Sequence, residues 1–194
     1  MKILSAIIVA VILSAGAVCS SQGDNIVDLF ARVEKLNIYR NDYTLSKVLT
    51  EKQKKTAQRN AMEKPSPGTY KFKDNDLYVV ADKITDRVLI LYERYESVSK
   101  QKVRELVGTL FFDFGDPTVI AHDKTIYWVF DENGKISEER YRDAKEKGEP
   151  LKTLATVKLD SSLEILKKGG EEAAGTVYYV LSSPPVLKIF SETR

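Results

Sequence analysis

Apolar residues follow two different periods along this chain. In the first part they recur every three or four positions after Asp24, which predicts a short amphipathic helix with Asp24 as its cap. These apolar positions are Ile26, Leu29, Phe30, Val33 and Leu36. A second helical segment is predicted to begin near Asp42 or Thr44 and to run to about Ala61, before the sequence Pro-Ser-Pro-Gly at residues 65–68 stops it.

From residue 69 the period becomes that of β-strands. Residues 70–72 and 77–81 flank the turn residues 74–76 and predict a hairpin. Residues 88–95 are largely apolar on both alternating faces, which is typical of a central strand covered on both sides. Further strands are predicted over 118–121, 125–130, 151–159, 176–181 and 186–190. Pro184 and Pro185 should separate the last two, because proline cannot donate to a sheet ladder.

One amphipathic helix is predicted between these strands. Ser97 or Ser99 can cap it, and Gly108 should help to end it. Its shared apolar face consists of Val103, Leu106, Val107 and Leu110. The charged residues 136–148 predict an exposed helix or an excursion from the sheet. Together the elements predict an α+β fold, with amino-terminal helices and one amphipathic helix on a mainly antiparallel sheet.

The amino terminus has the order of a secretory signal peptide. Lys2 precedes a nearly unbroken apolar run at residues 3–13, and small residues follow at 14–17. The run is too short for a membrane-spanning helix, which needs about 20 residues. We therefore expect residues 1–17 to be a signal peptide, 18–68 a helical amino-terminal segment and 69–194 the α+β core. A retained amino-terminal anchor is the alternative.

Cys19 decides the predicted compartment. It lies where a lipidated cysteine could follow a signal, whereas Ala15-Gly16-Ala17 fits ordinary signal peptidase. The chain is therefore expected to be periplasmic or secreted, or else membrane-anchored through a lipidated Cys19. Membrane contact is expected only in the second case. Cys19 is the only cysteine, so no intramolecular disulfide can form.

Charge argues against a nucleic-acid partner. The formal net charge is +2 over 194 residues, and both signs are mixed along the chain. The densest basic stretch, residues 52–59, lies in a polar segment and is interpreted as a solvated helix face.

The residues that could carry catalysis are few. His122 is the only histidine, so a hydrolase would have to use it with Asp113, Asp116 or Asp123. No G-x-S-x-G sequence presents a serine, and no second histidine completes a zinc site. We interpret His122 as a turn residue. No catalytic residue, metal site or cofactor is predicted.

The most distinctive segment is residues 110–117, Leu-Phe-Phe-Asp-Phe-Gly-Asp-Pro, which is predicted to be a loop. Loops rarely carry so much apolar area. The three rings can fold back as a plug over the helix and sheet, or form a partner-binding patch. Tyr127 and Trp128 face opposite sides of their strand, so one of them should join this cluster. The candidate partner-binding residues are Phe111, Phe112, Phe114 and Trp128.

Two stretches near this segment resemble a known family. Residues 103–109 (VRELVGT) are similar to the helix-ending V-x-x-x-L-G-x-P pattern of the SmpA/OmlA family, and residues 126–130 (IYWVF) look like its aromatic strand. Members are small outer-membrane lipoproteins that accompany the barrel-assembly machinery, with a β-lactamase-inhibitor-like fold. The resemblance implies this fold and the envelope compartment. Export, combined with the lack of a catalytic constellation in the sequence, predicts a non-enzymatic module that binds another envelope protein or ligand through its aromatic loop and sheet surface. A periplasmic hydrolase and a structural lipoprotein are the alternatives, and the oligomeric state is left open because an edge strand could pair.

Overall fold

The computed structural model describes residues 25–165 and 174–192. The predicted signal peptide and Cys19 lie outside the described residues. The helices are α1 (Ile26–Lys35), α2 (Glu51–Arg59), α3 (Lys100–Phe114), α4 (Glu138–Lys147) and α5 (Pro184–Glu192). The strands are β1 (Tyr39–Arg40), β2 (Tyr43–Thr44), β3 (Thr69–Asp74), β4 (Leu77–Asp82), β5 (Val88–Ser99), β6 (Val119–Ala121), β7 (Thr125–Asp131), β8 (Gly134–Lys135), β9 (Ala155–Ser161) and β10 (Ala174–Ser182).

One antiparallel sheet organises the molecule. Its strand order is β3-β4-β5-β10-β9-β7-β6, and β8 pairs with β7. β1 and β2 form a separate small hairpin. The predicted α+β fold with a mainly antiparallel sheet is therefore confirmed. None of the described helices is long and apolar enough to cross a membrane.

A single hydrophobic core joins the two predicted segments. Leu29 of α1 and Leu45 after β2 are buried in the same cluster as Leu91 of β5 and Leu159 of β9. The described part of the amino-terminal segment therefore packs directly on the sheet. The rings of Phe30 and Phe190 meet edge to face, which joins α1 to α5 across this core.

The amino-terminal segment is less helical than predicted. Residues 42–49 form β2 and irregular backbone, and helix α2 begins only at Glu51, after a capping box formed by Thr50 and Gln53. Ser46 has a φ of 64°, a left-handed conformation that interrupts any helix there. For α1, the cap is Asn25, whose side chain accepts a hydrogen bond from the Val27 N–H. Asp24 lies outside the described residues.

The carboxyl-terminal strand predicted over 186–190 is wrong, because these residues belong to helix α5. Pro184 and Pro185 begin this helix, where a missing N–H costs no hydrogen bond and the fixed φ suits the first turn. The Ser183 hydroxyl accepts a hydrogen bond from the Val186 N–H and donates to the Leu154 carbonyl. The two prolines thus start a helix on the core rather than separating two strands.

Helix α3 is longer than predicted. Ser99 caps it, as one of the two expected residues, with its side chain accepting from the Lys102 N–H. Gly108 does not end the helix, which continues through Phe114 to a cap at Gly115. The predicted loop over residues 110–117 is therefore wrong in its first half: the three phenylalanines lie in the last helical turn.

Strand β5 is central, as predicted, but it is not equally covered on both faces. It lies between β4 and β10, and its side chains alternate in burial from Leu91 to Glu96. Leu91 and Glu93 are buried on the core face, whereas Ile90 and Tyr92 are half-buried on the other face. The expectation of a strand covered on both faces is therefore wrong. On one face of β5 the tyrosine and aliphatic side chains are only half-buried.

Candidate partner-binding surfaces

The sheet face opposite the core forms a broad surface, which we call the open sheet face. Alternation along each strand places its side chains on this side, and cross-strand pairs continue it from β3 to β6. Its half-buried or exposed members include Lys71, Lys73, Tyr78, Val80, Ile90, Tyr92, Arg94, Val119, Tyr127, Lys158, Asp160, Tyr178 and Val180. The face ends near Val129, which is buried although it points to the same side as Tyr127.

Two tyrosines form the most ordered part of the open sheet face. The rings of Tyr78 and Tyr92 stack across β4 and β5, with centroids 4.6 Å apart and planes 7° apart. They are directly opposite in the strand register. Burial raises the pKa of Tyr92 to about 12, with Tyr78 and Tyr178 adding to the effect, so its hydroxyl is a neutral hydrogen-bond donor.

Lys71 lies beside this tyrosine pair. Its ammonium nitrogen is 5.0 Å from the Tyr78 ring centroid and 5.2 Å from that of Tyr92. Because the two rings are stacked, a point equally far from both lies beside their edges rather than over either outer face. Partial burial lowers the pKa of Lys71. Lys71 forms no ion pair with a described residue, so its charge is available to an anionic group.

The other cations of the open sheet face are partly neutralised. Lys158 forms an ion pair of 2.8 Å with Asp160, and Arg94 pairs with Glu96. Each is also close to an aromatic ring: Arg94 is 5.7 Å from the centroid of Tyr178, and Lys158 is 5.7 Å from that of Tyr127. These pairs hold the long side chains against the sheet beside the half-buried tyrosines.

A different cluster of polar groups lies under α3 on the core side. Arg40 donates two hydrogen bonds of 2.9 Å to the carboxylate of Glu93, and Tyr95 donates one of 2.6 Å to the same group. The Arg40 guanidinium lies 5.1 Å from the Tyr179 ring centroid. Burial alone would lower the pKa of Arg40, but the hydrogen bonds and charge of Glu93 outweigh it and raise that pKa. This fully partnered cluster fastens the β1-β2 hairpin to β5.

The structure separates the four predicted partner-binding residues. Trp128 is completely buried, and the rings of Phe111 and Phe114 pack on it with centroids 5.9 and 6.1 Å away. These three residues thus form the plug over the sheet. The burial corrects the expectation for Trp128, because a side chain without exposed surface cannot contact a partner in this fold. Phe112 points away from the plug and is 91% exposed.

His122 lies in the turn between β6 and β7, as the sequence suggests. Both His122 and Asp123 have positive φ, at 52° and 54°. Asp116 precedes β6 whereas His122 follows it, so the extended strand holds the two residues at opposite ends. Asp113 lies further back, in the last turn of α3. The described residues therefore do not bring His122 together with Asp113 or Asp116.

The described residues also contain no group of three or more His, Cys, Asp or Glu side chains that could hold a metal ion. A groove of about 360 Å³ lies beside α4. Its charged lining mixes both signs, with Glu139, Arg140, Asp143, Lys147 and Glu149. Ala144, Pro150 and Leu151 are its apolar lining residues, a smaller share than in the mostly apolar sites that hold small molecules.

The sequence predicts a sheet surface as part of the binding site but does not single out its tyrosines, although a signal for them exists. Tyr78, Tyr92 and Tyr178 each occupy the polar phase of an alternating strand, where a soluble sheet usually has charged or small residues. Large amphipathic rings at such positions in three neighbouring strands indicate a surface. The pairing of β10 between β5 and β9 brings them together, and this order is not readable from local pattern.

No protein-family model, curated protein or solved structure matches this chain. The resemblance of residues 103–109 and 126–130 to the SmpA/OmlA family stays a prediction.

Proposed function

We propose that this chain is an exported, non-enzymatic binding module of the bacterial cell envelope, which holds another envelope protein against its open sheet face. The observation that carries the proposal is the face itself: four tyrosines and four cations on one side of a single eight-stranded sheet. Tyrosine and arginine are the side chains that most often supply binding energy at protein interfaces.

Charge favours a partner with acidic groups. Lys71 has no acidic partner among the described residues, and it lies beside the neutral hydroxyl donor Tyr92. A carboxylate docking there would gain an ammonium and a tyrosine hydroxyl at once. The partial burial of Lys71 makes this contact stronger than it would be in bulk water.

The compartment is supported by the amino-terminal sequence. The charged residue, apolar run and small residues at 1–17 follow the order of a signal peptide. The resemblance to SmpA/OmlA lipoproteins points to the same compartment. A hydrolase based on His122 has less support, since strand β6 keeps that histidine away from Asp116.

Site-specific photo-crosslinking in the native type of host tests the binding face. A photoreactive phenylalanine analogue would replace Tyr127 or Tyr178 on the face, and Tyr39 as the matched control. Tyr39 is 58% exposed but lies on β1, whose hairpin is fastened to the core side of the main sheet through Arg40 and Glu93. We expect one adduct of defined mass from both face positions and not from Tyr39. The same adduct at all three positions, or none at the two face positions, would contradict the proposal.

Intact mass and membrane fractionation test the compartment separately. A diacylglyceryl-sized mass gain and membrane retention, both lost in Cys19→Ser, would establish a lipoprotein. A product beginning near Val18 in the periplasm or medium would establish a free exported module. A product that still carries residues 1–17 and stays in the cytoplasm would overturn export.

A further inference from the structure

Tyr78 and Tyr92 are the only two tyrosines in ring contact with each other in the described part of the chain. Their stacked rings are 4.6 Å apart between centroids and 7° from parallel. The strand ladder fixes this arrangement, because the two residues are directly opposite in the register of β4 and β5. Tyr43 and Tyr70 also have ring partners, but in both cases the partner is Phe72. The fold therefore holds one pair of phenol rings in a stack.

The hydroxyl groups of this pair are open to water. Neither forms a hydrogen bond with a described residue, and Ser46 Oγ is the one buried side-chain oxygen or nitrogen without a partner in the same part of the chain, so both phenol oxygens reach solvent. The Lys71 ammonium lies 5.0 and 5.2 Å from the two ring centroids. Its charge opposes a second cation on either ring. An electron should therefore leave a ring together with the hydroxyl proton, and a neutral phenoxyl radical should remain.

We propose that Tyr78 and Tyr92 form an oxidative cross-linking site, at which a one-electron oxidant joins the two rings by a carbon–carbon bond. Each phenol loses one electron to the oxidant and one proton to water, which gives two phenoxyl radicals. Each unpaired electron is shared with the ring carbons next to the C–O carbon, the Cε atoms, and the two electrons pair to form a bond between one Cε of each ring. The proton on each bonded carbon then moves to the oxygen of its own ring, which restores the aromatic system. The product has two hydrogen atoms fewer than the two tyrosines, and two equivalents of oxidant are reduced.

The strand register makes this coupling intramolecular. A radical on a tyrosine without a tyrosine neighbour has to meet a second molecule, whereas the register places Tyr78 and Tyr92 in contact before either is oxidised. Rotation about the Cβ–Cγ bond, a torsion with a broad minimum in tyrosine, brings the two Cε atoms together. Tyr95 is only three residues from Tyr92 but does not compete, because it lies on the other face of β5 and donates a hydrogen bond to Glu93.

The bond closes a loop of residues 78–92 and joins β4 to β5 on the open sheet face. Cys19 is the only cysteine, so the chain cannot form an intramolecular disulfide, and the tyrosine pair gives the fold a covalent cross-link that needs no cysteine. Thiols do not reverse a carbon–carbon bond, so the cross-link persists after exposure to radicals or other one-electron oxidants has ended. The reaction depends on the register of β4 and β5 and is independent of any partner on the open sheet face.

Brief illumination with tris(bipyridine)ruthenium(II) and persulfate tests the proposal on protein produced from the full-length coding sequence, because this mixture generates the one-electron oxidant ruthenium(III). Product with the mass of one chain is isolated and digested with trypsin. Cleavage places Tyr78 in residues 74–83 and Tyr92 in residues 88–94, and neither peptide contains a second tyrosine. We expect these two peptides to be linked, with a combined mass lower by two hydrogen atoms. Absence of this linked pair from the single-chain product would overturn the proposal.

Conservative variants separate the chemistry from the fold. Tyr78→Phe and Tyr92→Phe each keep a ring in the stack but cannot form a phenoxyl radical there, so both should lose the linked pair while circular dichroism shows an unchanged fold. Tyr178→Phe is the matched control and should keep the linked pair, because Tyr178 lies half-buried on the same face without a tyrosine ring in contact. Equal losses in Tyr178→Phe and Tyr92→Phe would contradict the assignment.

Oxidation in urea tests whether the register selects the pair. Without the ladder, Tyr92 should link to its sequence neighbour Tyr95 as readily as to Tyr78, so the preference for Tyr78 should be lost. The same distribution of links in folded and urea-unfolded protein would show that the stacked geometry does not direct the reaction, and it would overturn the proposal.

Discussion

The indole N–H of Trp128 donates a hydrogen bond of 2.8 Å to the carbonyl oxygen of Gly115. This bond joins the middle of β7 to the residue that ends α3. The Lys135 ammonium adds two more, to the carbonyls of Phe114 and Asp116, at 2.8 and 2.7 Å. The end of α3 is thus fixed by donors from β7 and β8, which explains why the helix ends there and not at Gly108.

Gly115 and Gly108 should respond in opposite ways to alanine. Gly115 has a φ of 68° and a ψ of −157°, a region that only glycine adopts readily. We expect Gly115→Ala to lower the free energy of unfolding by about 2 kcal/mol. Gly108→Ala should raise it by about 1 kcal/mol, because alanine favours the helix interior. Urea unfolding at low protein concentration measures both, and a loss of stability in Gly108→Ala would contradict the assignment of this residue to an unconstrained helical position.

The phenylalanines of α3 should divide into structural and surface residues. Phe111 packs edge to face on buried Trp128, so Phe111→Ala should cost about 2 kcal/mol, less than a fully buried phenylalanine. Phe112→Ala should change stability by no more than about 0.5 kcal/mol. Thermal unfolding of both variants checks this contrast. Equal destabilisation would mean that Phe112 also packs on the domain.

Removing the charge of Glu93 should destabilise the fold. Glu93 is 4% exposed and accepts two hydrogen bonds from Arg40, so Glu93→Gln leaves a partly buried cation without its counterion. We expect a loss of about 2 kcal/mol, since breaking a fully buried pair typically costs about 3–5 kcal/mol and Arg40 keeps some contact with water.

A second substitution distinguishes the orphaned charge from other causes of this loss. Arg40→Met in the Glu93→Gln background should recover part of the stability, because it removes the unpaired guanidinium. A double-mutant cycle measured by denaturant unfolding gives the coupling between the two sites. Additive losses would show that the ion pair is not what Glu93 contributes.

Asp86 should make stability depend on pH. The hydrogen bond from Tyr70 and the ion pair with Lys54 hold the pKa of Asp86 below 3.8. A lowered pKa in the folded state means that the contribution is fully present above the unfolded pKa and is lost as pH falls through the folded value. The stability difference between wild type and Asp86→Asn should therefore be constant near pH 7 and shrink below about pH 4. Unfolding curves at several pH values measure it, and a difference that grows on acidification would have the wrong sign.

Local pattern predicted most of the elements that have a clear period. The β3-β4 hairpin, the central position of β5 and the cap at Ser99 follow from strand periodicity, apolar residues on both faces of β5 and the capping chemistry of serine. The strand predicted over residues 186–190 is wrong because a short apolar run fits a strand or a buried helix equally well. The two prolines before it predict a break between two strands, although proline also favours the first turn of a helix.

The candidate surfaces were less predictable because they depend on tertiary placement. The three phenylalanines of α3 are chemically alike, and only the helix phase shows that Phe111 and Phe114 face Trp128 while Phe112 does not. Because the sequence predicts a loop over these residues, it does not indicate the helix phase that separates them. The open sheet face likewise depends on the insertion of β10 between β5 and β9, strands that are distant in sequence.

That insertion also sets when folding can finish. Residues 88–99 pair with β4 on one side, but on the other side they pair with residues 174–182, so the sheet stays incomplete until residues 174–182 have been synthesised. Such distant pairings make folding slow, because a long loop must close before its contacts are gained. For a chain that we propose is exported, this delay is an advantage. A nascent polypeptide without a complete sheet remains unfolded and can pass through a translocation channel before it forms a rigid domain.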